Sequence, residues 1–439
     1  MKNNKLTDAP GRDTGDAVPA EPCVAVGFAS IHPDDDSDEL LRLDGAKDVS
    51  VNDAPNDSAS TIRSPYARQA ARVSKRGTEQ TSSAKQVVER IPSRRSRFQG
   101  CLLGGASGDA LGAPLEFYTL AEITKKFGSH GLREFFPCYE RLGAITDDTQ
   151  MTLFTAEGLI RAAVRYESRG ICHPPSVIHS AYLRWLRTQG RSAPRAATED
   201  GWLINVKDLW ANRAPGATCI SALSATTELG ATAMNDSKGC GGVMRVAPIG
   251  LLCEPERAFT LAMEAAALTH GHPTSSTSAG VLAYLIAAIK EGDSLQLAVD
   301  AAHARLRQCP NHEETLRAID DACDLAASGT ADASRLERLG GGWIAEEALG
   351  IALYCTLVRD SLEEAVILAV NHSGDSDSTG AITGNLAGVL YGEEMIPRRW
   401  LADLELRREI ETVADDLLAV ADGDVDLTSD SFVARYPGY

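Results

Sequence analysis

Apolar residues in most of this chain recur with the spacing of an α-helix, and this pattern constrains the fold more than any other feature. From Phe98 onward, segments such as "AGVLAYLIAAIKEG" and "GWIAEEALGIALYCTLVRD" place them at positions i, i+3, i+4 and i+7. Runs that alternate apolar and polar residues, as a half-buried β-strand requires, are nearly absent. The pattern predicts one compact all-α domain of many helices over residues 98–439.

Residues 1–97 have a different composition, rich in Asp, Ser, Ala and Pro and almost without aromatic side chains. Such a segment cannot bury enough apolar surface to offset its chain entropy, so we expect an extended, flexible N-terminal arm. Its charge is segregated: residues 1–60 carry 13 acidic and 5 basic side chains, and residues 61–98 carry 10 basic and 2 acidic. The basic part is either a solvated linker or a segment that docks on an acidic surface.

Net charge and composition exclude several classes of partner. The formal net charge of −18 disfavours nucleic acid and anionic membranes, because phosphate groups would be repelled. The chain starts without an apolar signal segment, and its longest apolar stretch is too short to span a bilayer. The ten cysteines are scattered, without zinc-site spacing. We therefore expect a cytoplasmic protein with reduced cysteines.

Glycines recur every fourth residue in two segments, which keeps them on one face of a helix. A glycine face lets another backbone approach closely, so both segments are predicted to form central, deeply buried helices. The first stripe comprises Gly104, Gly108 and Gly112, and the second Gly380, Gly384, Gly388 and Gly392.

Two adjacent carboxylates, Asp147 and Asp148, stand at the head of the apolar segment "ITDDTQMTLFTAEGLI". Thr146 occupies the position of a helix N-cap, and Leu153 and Ile160 belong to the buried face that follows. The helix dipole favours negative charge in the first turn. Taken alone, the pattern describes an ordinary helix start.

A second acidic loop, "GDSDST", argues for more than capping. Asp375 and Asp377 alternate with Ser376 and Ser378 directly before another apolar helix, and one helix start needs one acceptor. If the two loops meet, four carboxylates converge, and only a cation would relieve their repulsion. Hard oxygen donors select Mg²⁺, Mn²⁺ or Ca²⁺, and this number of carboxylates suffices for two ions.

A third acidic element follows the first glycine stripe. Asp109 lies within a helix of small residues, where we expect a buried hydrogen-bonding role. Glu116 follows Pro114 in a loop and is free to point into a cleft. A carboxylate beside bound cations, but not fully coordinated, can act as a general base or polarise water.

Six segments, in this order and spacing, make the chain resemble the ADP-ribosylglycohydrolase family, whose members are similar to dinitrogenase reductase-activating glycohydrolase. The resemblance covers roughly residues 98–400. The segments are "GCLLGGASGDALGAPLEF", "ITDDTQMTLFTAEGLI", "RAPGATCISAL", "SKGCGGVMRVAPIGLL", "LTHGHPTSSTSAG" and "GDSDSTGAITGNLAGVLYG".

The resemblance implies an all-α fold with a dinuclear Mg²⁺ or Mn²⁺ site that binds ADP-ribose and removes it from modified side chains. Ser378 stands where many relatives have threonine, and it keeps the oxygen donor. The implied catalytic residues are Glu116, Asp148 and Asp377. The implied metal ligands are Thr146, Asp147, Asp148, Asp375, Asp377 and Ser378.

The resemblance also implies that the glycine-rich "SKGCGGVMR" holds phosphate and ribose, for which close backbone N–H groups are suited. Arg245 would contact a phosphate or form a structural salt bridge. His270 would lie beside ADP-ribose or serve as a structural residue, and His272 is expected to be structural. No nucleophile is required of Cys240. The implied substrate-binding residues are Ser237, Gly239, Cys240, Gly241, Gly242, Met244 and His270.

The function expected from this resemblance is hydrolysis of ADP-ribose from a modified protein, with ADP-ribosyl-arginine as the bond. Some family members give immunity to ADP-ribosylating toxins, and the N-terminal arm is a candidate contact for such an ADP-ribosyltransferase toxin. Two alternatives remain open. One is a non-enzymatic protein that blocks a partner through the arm, and the other is a metal-dependent phosphoesterase acting on ADP-ribose-like ligands.

Overall fold

The computed structural model describes residues 91–193, 199–329 and 332–438. The predicted arm therefore lies outside the described residues, except for its last seven. Over the described ranges the chain forms seventeen α-helices and no β-strand, with only two isolated antiparallel bridges. The predicted all-α fold is confirmed.

Most helices follow one another through short loops, and the longer connections lie before Asp147–Arg169, after Pro174–Thr188 and before Ala247–Leu252. In chain order they are α1 (Arg94–Gly112), α2 (Leu120–Phe127), α3 (Asp147–Arg169), α4 (Pro174–Thr188), α5 (Ala217–Ser224), α6 (Ala247–Leu252), α7 (Pro255–Ala267), α8 (Pro273–Glu291), α9 (Leu295–Leu306), α10 (Glu313–Ala327), α11 (Ala333–Leu336), α12 (Ala345–Val358), α13 (Leu362–Val370), α14 (Ser376–Tyr391), α15 (Arg398–Asp403), α16 (Arg407–Asp422) and α17 (Asp430–Arg435).

Helices α1 and α14 form the centre of the fold, and they lie antiparallel with their glycine stripes facing each other. A Cβ atom on Gly104 would stand 2.5 Å from the carbonyl oxygen of Gly384. In the same way, side chains on Gly108 or Gly388 would overlap the backbone of the opposite helix. The two predicted buried helices are thus one interlocked pair, held at a distance that only glycine permits.

Packing of α1 begins several residues before Phe98. The hydroxyl of Ser93 accepts a hydrogen bond from the backbone N–H of Ser96 and caps the helix. The guanidinium of Arg97 is buried and donates to the carbonyl oxygens of Ile289 and Val389. The helical domain therefore includes the end of the basic stretch.

The other helices pack around this pair. Helices α3 and α4 form one antiparallel layer, α7 packs along α8, α10 packs along α12, and α16 covers α1. The apolar face predicted for α3 is buried in the common core. None of the helices in the described ranges is long and apolar enough to cross a membrane.

A candidate site of buried carboxylates

The start of α3 is held in place by Asp109 of α1. The carboxylate of Asp109, with no exposed surface, accepts hydrogen bonds from the backbone N–H groups of Thr146 at 3.0 Å and Thr149 at 3.1 Å, and from the Thr149 hydroxyl. Thr146 caps the helix, because its hydroxyl accepts from the N–H of Asp148. Asp109 is therefore the buried hydrogen-bonding residue that the small-residue helix indicates.

The two carboxylates that open α3 have different surroundings. Asp147 is held by the "RAPG" loop: its N–H donates to the carbonyl of Arg213, and its Oδ2 accepts from the N–H of Gly216, both at 3.1 Å. The Oδ1 atom of Asp148 is buried and has no hydrogen-bond partner among the described residues. A buried carboxylate oxygen left unpaired in this way is costly unless a ligand completes it.

The start of α14 meets the same place. Asp375 caps the helix through Ser378, and its Oδ2 accepts a hydrogen bond from the Cys240 thiol at 2.9 Å. Asp377 accepts from the N–H of Ser378 at 3.0 Å. A Cβ atom on Gly112, the last residue of α1, would overlap the first turn of α14. The last turns of α1 thus position the first turns of both α3 and α14.

Electrostatic coupling shows that the acidic loops share one site. Burial is the main cause that raises the pKa of Asp109, to about 7, and it raises the pKa of Asp147, Asp148 and Asp375 well above the usual range. In each case the negative charge of Asp377 raises the pKa further. The structure therefore brings the carboxylates of the two loops close enough to repel one another when they are ionised.

Glu116 lies at the mouth of this cluster. It is partly exposed, whereas the five aspartates are buried. Burial raises its pKa to about 9, and the charges of Asp377, Asp147 and Asp109 add to the effect. Glu116 is therefore the carboxylate of the cluster that a ligand in the cleft can reach.

The donor chemistry of the cluster fits hard divalent cations. In the described ranges, no group of three or more His, Cys, Asp or Glu side chains is already arranged closely enough to enclose an ion. The cluster nevertheless combines an unpaired Asp148 oxygen with four buried aspartates that repel one another when ionised, a donor set that a divalent cation would stabilise. Carboxylate and hydroxyl oxygens are the ligands that Mg²⁺ and Mn²⁺ take.

The glycine-rich loop borders the cluster and rests on His270. A Cβ atom on Gly239 would stand 3.3 Å from Nε2 of the imidazole, and one on Gly241 would stand 3.1 Å from Cε1. Burial, with the nearby Arg245 guanidinium, lowers the pKa of His270 to about 3, so the ring is neutral. Its Nδ1 pairs with the Thr269 hydroxyl at 2.8 Å. The imidazole thus fixes the path of the loop.

The predicted substrate-binding residues of this loop do not all face the same way. The Cys240 thiol reaches Asp375, and Ser237 pairs with the Thr218 hydroxyl at 3.1 Å. Met244 is only 3 % exposed and packs in the core. Gly242 is buried, and a Cβ atom there would overlap the Ser275 hydroxyl. The loop therefore turns into the core after Gly241.

The structure places Arg245 in neither of the two roles considered from the sequence, contact with a phosphate or a structural salt bridge. Its fully buried guanidinium donates to the carbonyl of Ala265 and to the hydroxyl of Thr269, and it lies 4.3 Å from the ring centre of Tyr182. These contacts make Arg245 a core residue that supports the loop from below. His272 caps α8 by accepting from the N–H of Thr274, a structural role.

Sequence motifs did not reveal a further rim residue, Tyr139. It lies in a tight turn with a positive φ of 49°, and its ring is 4.9 Å from the Arg213 guanidinium. Burial raises its pKa, and the charges of Glu116 and Asp377 are among the further causes. The position of the Tyr139 ring depends on the turn and on Arg213, which is distant in sequence. No local sequence pattern therefore predicts it.

The described residues form an all-α protein in which two acidic helix starts and a glycine-rich loop surround one acidic cleft. The ADP-ribosylglycohydrolase family model matches residues 90–426. The chain belongs to the ADP-ribosylglycohydrolase family. The family and the class of enzyme expected from the six segments, a glycohydrolase acting on ADP-ribosylated residues, are confirmed.

Two relatives and one solved structure align with this chain over most of their own length. ADP-ribosyl-(dinitrogen reductase) glycohydrolase of Rhodospirillum rubrum is 28 % identical over 344 residues, which is 75 % of this chain and 98 % of that protein. ADP-ribosylarginine hydrolase Tri1 of Serratia proteamaculans is 25 % identical over 339 residues, covering 75 % of this chain and 82 % of that protein. A solved structure described as an ADP-ribosylglycohydrolase-related protein complex aligns with a TM-score of 0.55 and 29 % identity, over 75 % of this chain and 99 % of that one.

Proposed function

We propose that this protein hydrolyses the N-glycosidic bond of ADP-ribosyl-arginine on modified proteins, in a reaction that depends on divalent cations. The observation that carries the proposal is the unpaired, buried Oδ1 atom of Asp148 within a cluster of mutually repelling carboxylates. An arginine acceptor is supported by the similarity to relatives named ADP-ribosylarginine hydrolase Tri1.

The residues that would hold two Mg²⁺ or Mn²⁺ ions are those at the two helix starts. When bound, such ions neutralise the cluster and supply Lewis-acid chemistry to ribose hydroxyls and water. Asp148 and Asp377 would also stabilise positive charge that develops on the ribose as the bond breaks. Glu116, partly exposed and with a raised pKa, would move a proton to or from the reacting groups. The proposed ligands are Thr146, Asp147, Asp148, Asp375, Asp377 and Ser378.

The glycine-rich loop would bind the diphosphate and ribose through backbone N–H groups such as that of Gly241, whereas the N–H of Gly239 donates to the Ser237 hydroxyl at 3.4 Å. The neutral His270 beneath the loop holds this backbone in place and adds no charge. The Cys240 thiol donates a hydrogen bond to Asp375. Cys240 would therefore orient Asp375 for cation binding and would not attack the substrate.

The test is release of ADP-ribose from an arginine-modified protein, with matched serine-modified protein alongside. We expect wild type to release intact ADP-ribose, and EDTA or Asp377→Ala to abolish release. Equal release in all samples would contradict the cation-dependent hydrolase. Release of AMP would instead identify a phosphoesterase, and tight binding without any product would identify a non-enzymatic binding protein.

The N-terminal arm suggests a partner beyond the substrate. Its basic stretch within residues 61–98 is complementary to an acidic protein surface, and immunity against an ADP-ribosyltransferase toxin would supply such a partner. Because helix α1 begins at Arg94, the matched variant should delete residues 1–90 and leave the helix complete. We expect the deletion to weaken binding to a candidate toxin while hydrolysis of a modified peptide persists. Unchanged binding to the toxin would exclude the arm as the contact.

A further inference from the structure

A stacked pair of exposed aromatic rings stands at the rim of the carboxylate site. Phe117 is 70 % exposed and Trp343 is 42 % exposed. Their ring centres are 5.4 Å apart, and their planes differ by 22°. Large aromatic rings are normally buried, so a stacked pair left open to solvent marks a binding surface more often than a packing accident.

The backbone of Phe117 is held in an unusual conformation that keeps its ring outside. Its φ is +71°, in the left-handed region that bulky side chains rarely adopt. The preceding residue is Glu116, and the segment is fixed beyond it because the N–H of Leu120 donates to the Ser373 hydroxyl at 2.9 Å. Strain of this kind persists where the surrounding structure imposes it, and it clusters at ligand sites.

Trp343 is anchored to both halves of the proposed site. Its carbonyl oxygen accepts from the N–H of Cys240 at 3.1 Å, in the glycine-rich loop. Two residues earlier, the carbonyl of Gly341 accepts from the N–H of Asp375 at 2.8 Å. The indole lies over Gly341, where a Cβ atom would stand 3.0 Å from its Cδ1. The ring therefore keeps a fixed position relative to the carboxylates.

The chemistry of this rim suits a cation. The π faces of aromatic rings attract guanidinium and ammonium groups, and the negative charge of the neighbouring cluster adds to that attraction. Nearby, the Lys126 ammonium already lies within 4.9 Å of the Tyr118 ring centre and 4.7 Å of that of Phe136. Within the described ranges, no Lys or Arg head group lies over the rings of Phe117 or Trp343.

We propose that the Phe117–Trp343 pair is the platform for the acceptor side chain, and that it selects a guanidinium over a neutral hydroxyl acceptor. This inference rests on the proposed hydrolysis of ADP-ribosylated side chains. Hydrolysis beside Glu116 breaks the bond between the anomeric carbon and the guanidino nitrogen, joins a water oxygen to that carbon and passes one water proton to the nitrogen, and the released guanidinium lies against the adjacent rings. A serine-linked substrate has no cation there and gains nothing from the π faces.

The experiment compares one peptide modified on arginine with the same peptide modified on serine. Phe117→Leu and Trp343→Leu keep apolar surface but remove the π face, whereas Phe117→Tyr and Trp343→Phe keep it. We expect each leucine variant to lower kcat/KM for the arginine-linked peptide by about five- to thirty-fold. The Tyr and Phe variants should keep more of the arginine-linked kcat/KM than the leucine variants, because their rings retain a π face. The leucine variants should lower the serine-linked kcat/KM less than the arginine-linked one and keep the affinity for free ADP-ribose within about two-fold of wild type.

A binding measurement separates failure of the platform from failure of the proposed reaction. In a Glu116→Gln background, affinities for the arginine-linked peptide and for free ADP-ribose are compared with and without the leucine substitutions. Loss confined to the arginine-linked peptide supports the platform, even if wild type shows no hydrolysis. Equal losses for peptide and ADP-ribose, or no loss at all, would overturn it.

Discussion

At the scale of single residues, the site depends on carboxylates whose surroundings differ. Asp109 is satisfied by the start of α3, whereas Asp148 keeps an unpaired oxygen. Glu116 alone among the six carboxylates reaches the partly exposed rim. These environments support the proposed separation of a structural role, a cation-binding role and a proton-transfer role among residues of the same chemistry.

Replacing Glu116 by Gln should damage catalysis more than binding. The substitution keeps the shape of the side chain but removes its proton chemistry, so we expect kcat to fall by about 10²- to 10⁴-fold. Affinity for ADP-ribose should change little. The matched control is Glu122→Gln, at an exposed position where glutamine can still serve the capping box of α2. A kcat for Glu116→Gln equal to that of the control would remove Glu116 from the reaction.

At the scale of secondary-structure elements, the interlocked pair of α1 and α14 determines where the carboxylates lie. Because Gly108 and Gly112 let the backbones touch, Asp109 and the start of α14 are brought together at one end of the pair. The same close approach leaves no room for even one methyl group. Stability and site geometry therefore depend on the same glycines.

Gly384→Ala should destabilise the whole domain, since the added methyl would overlap the backbone of Gly104. Overpacking of this kind typically costs about 1–3 kcal/mol in the free energy of unfolding, and more where only backbone can yield. Gly350→Ala in α12 is the matched control, because its Cβ would stand 3.3 Å from the nearest atom. Urea unfolding of both variants checks this. An equal effect at the two positions would mean that the close packing is not as described.

Sequence alone was sufficient for the features that depend on local or periodic patterns. The helical class, the Thr146 cap and the two buried glycine stripes all follow from spacing. The pairing of one stripe with the other does not, because it depends on residues almost 300 positions apart. The burial of Arg245 and Met244 does not follow from spacing either. Their motif suggests contact with substrate, but the surrounding helices enclose both side chains. A motif identifies neighbours in sequence, and packing decides which of them face the cleft.

At the scale of the whole molecule, the buried carboxylates link stability to pH and to cations. The pKa of Asp109 is raised from 3.8 to about 7 and that of Glu116 from 4.5 to about 9. In the absence of cations the folded state therefore binds more protons than the unfolded state between these values. Protonation of Asp109 and Glu116 therefore stabilises the fold fully below the ordinary pKa values of 3.8 and 4.5. This stabilisation is lost as the pH rises through the folded-state values of about 7 and about 9.

Divalent cations should reverse this trend, because they bind the ionised carboxylates. We expect the rise in Tm caused by saturating Mg²⁺ to grow as pH increases from about 5 to about 8. Thermal unfolding at a series of pH values, with Mg²⁺ and with EDTA, measures the difference. Asp377→Asn serves as the control and should show a much smaller gap at every pH. A gap that shrinks with rising pH would contradict this account.

The proposed function requires that the acidic starts of α3 and α14 form a single cation site. Mn²⁺ titration followed by electron paramagnetic resonance tests it most directly, on wild type, Asp148→Asn, Asp377→Asn and the double variant. We predict two bound ions per wild-type chain, weakened binding of both in either single variant, and little further loss in the double variant. Independent, additive losses in the two single variants, or no Mn²⁺ binding by wild type, would contradict the claim.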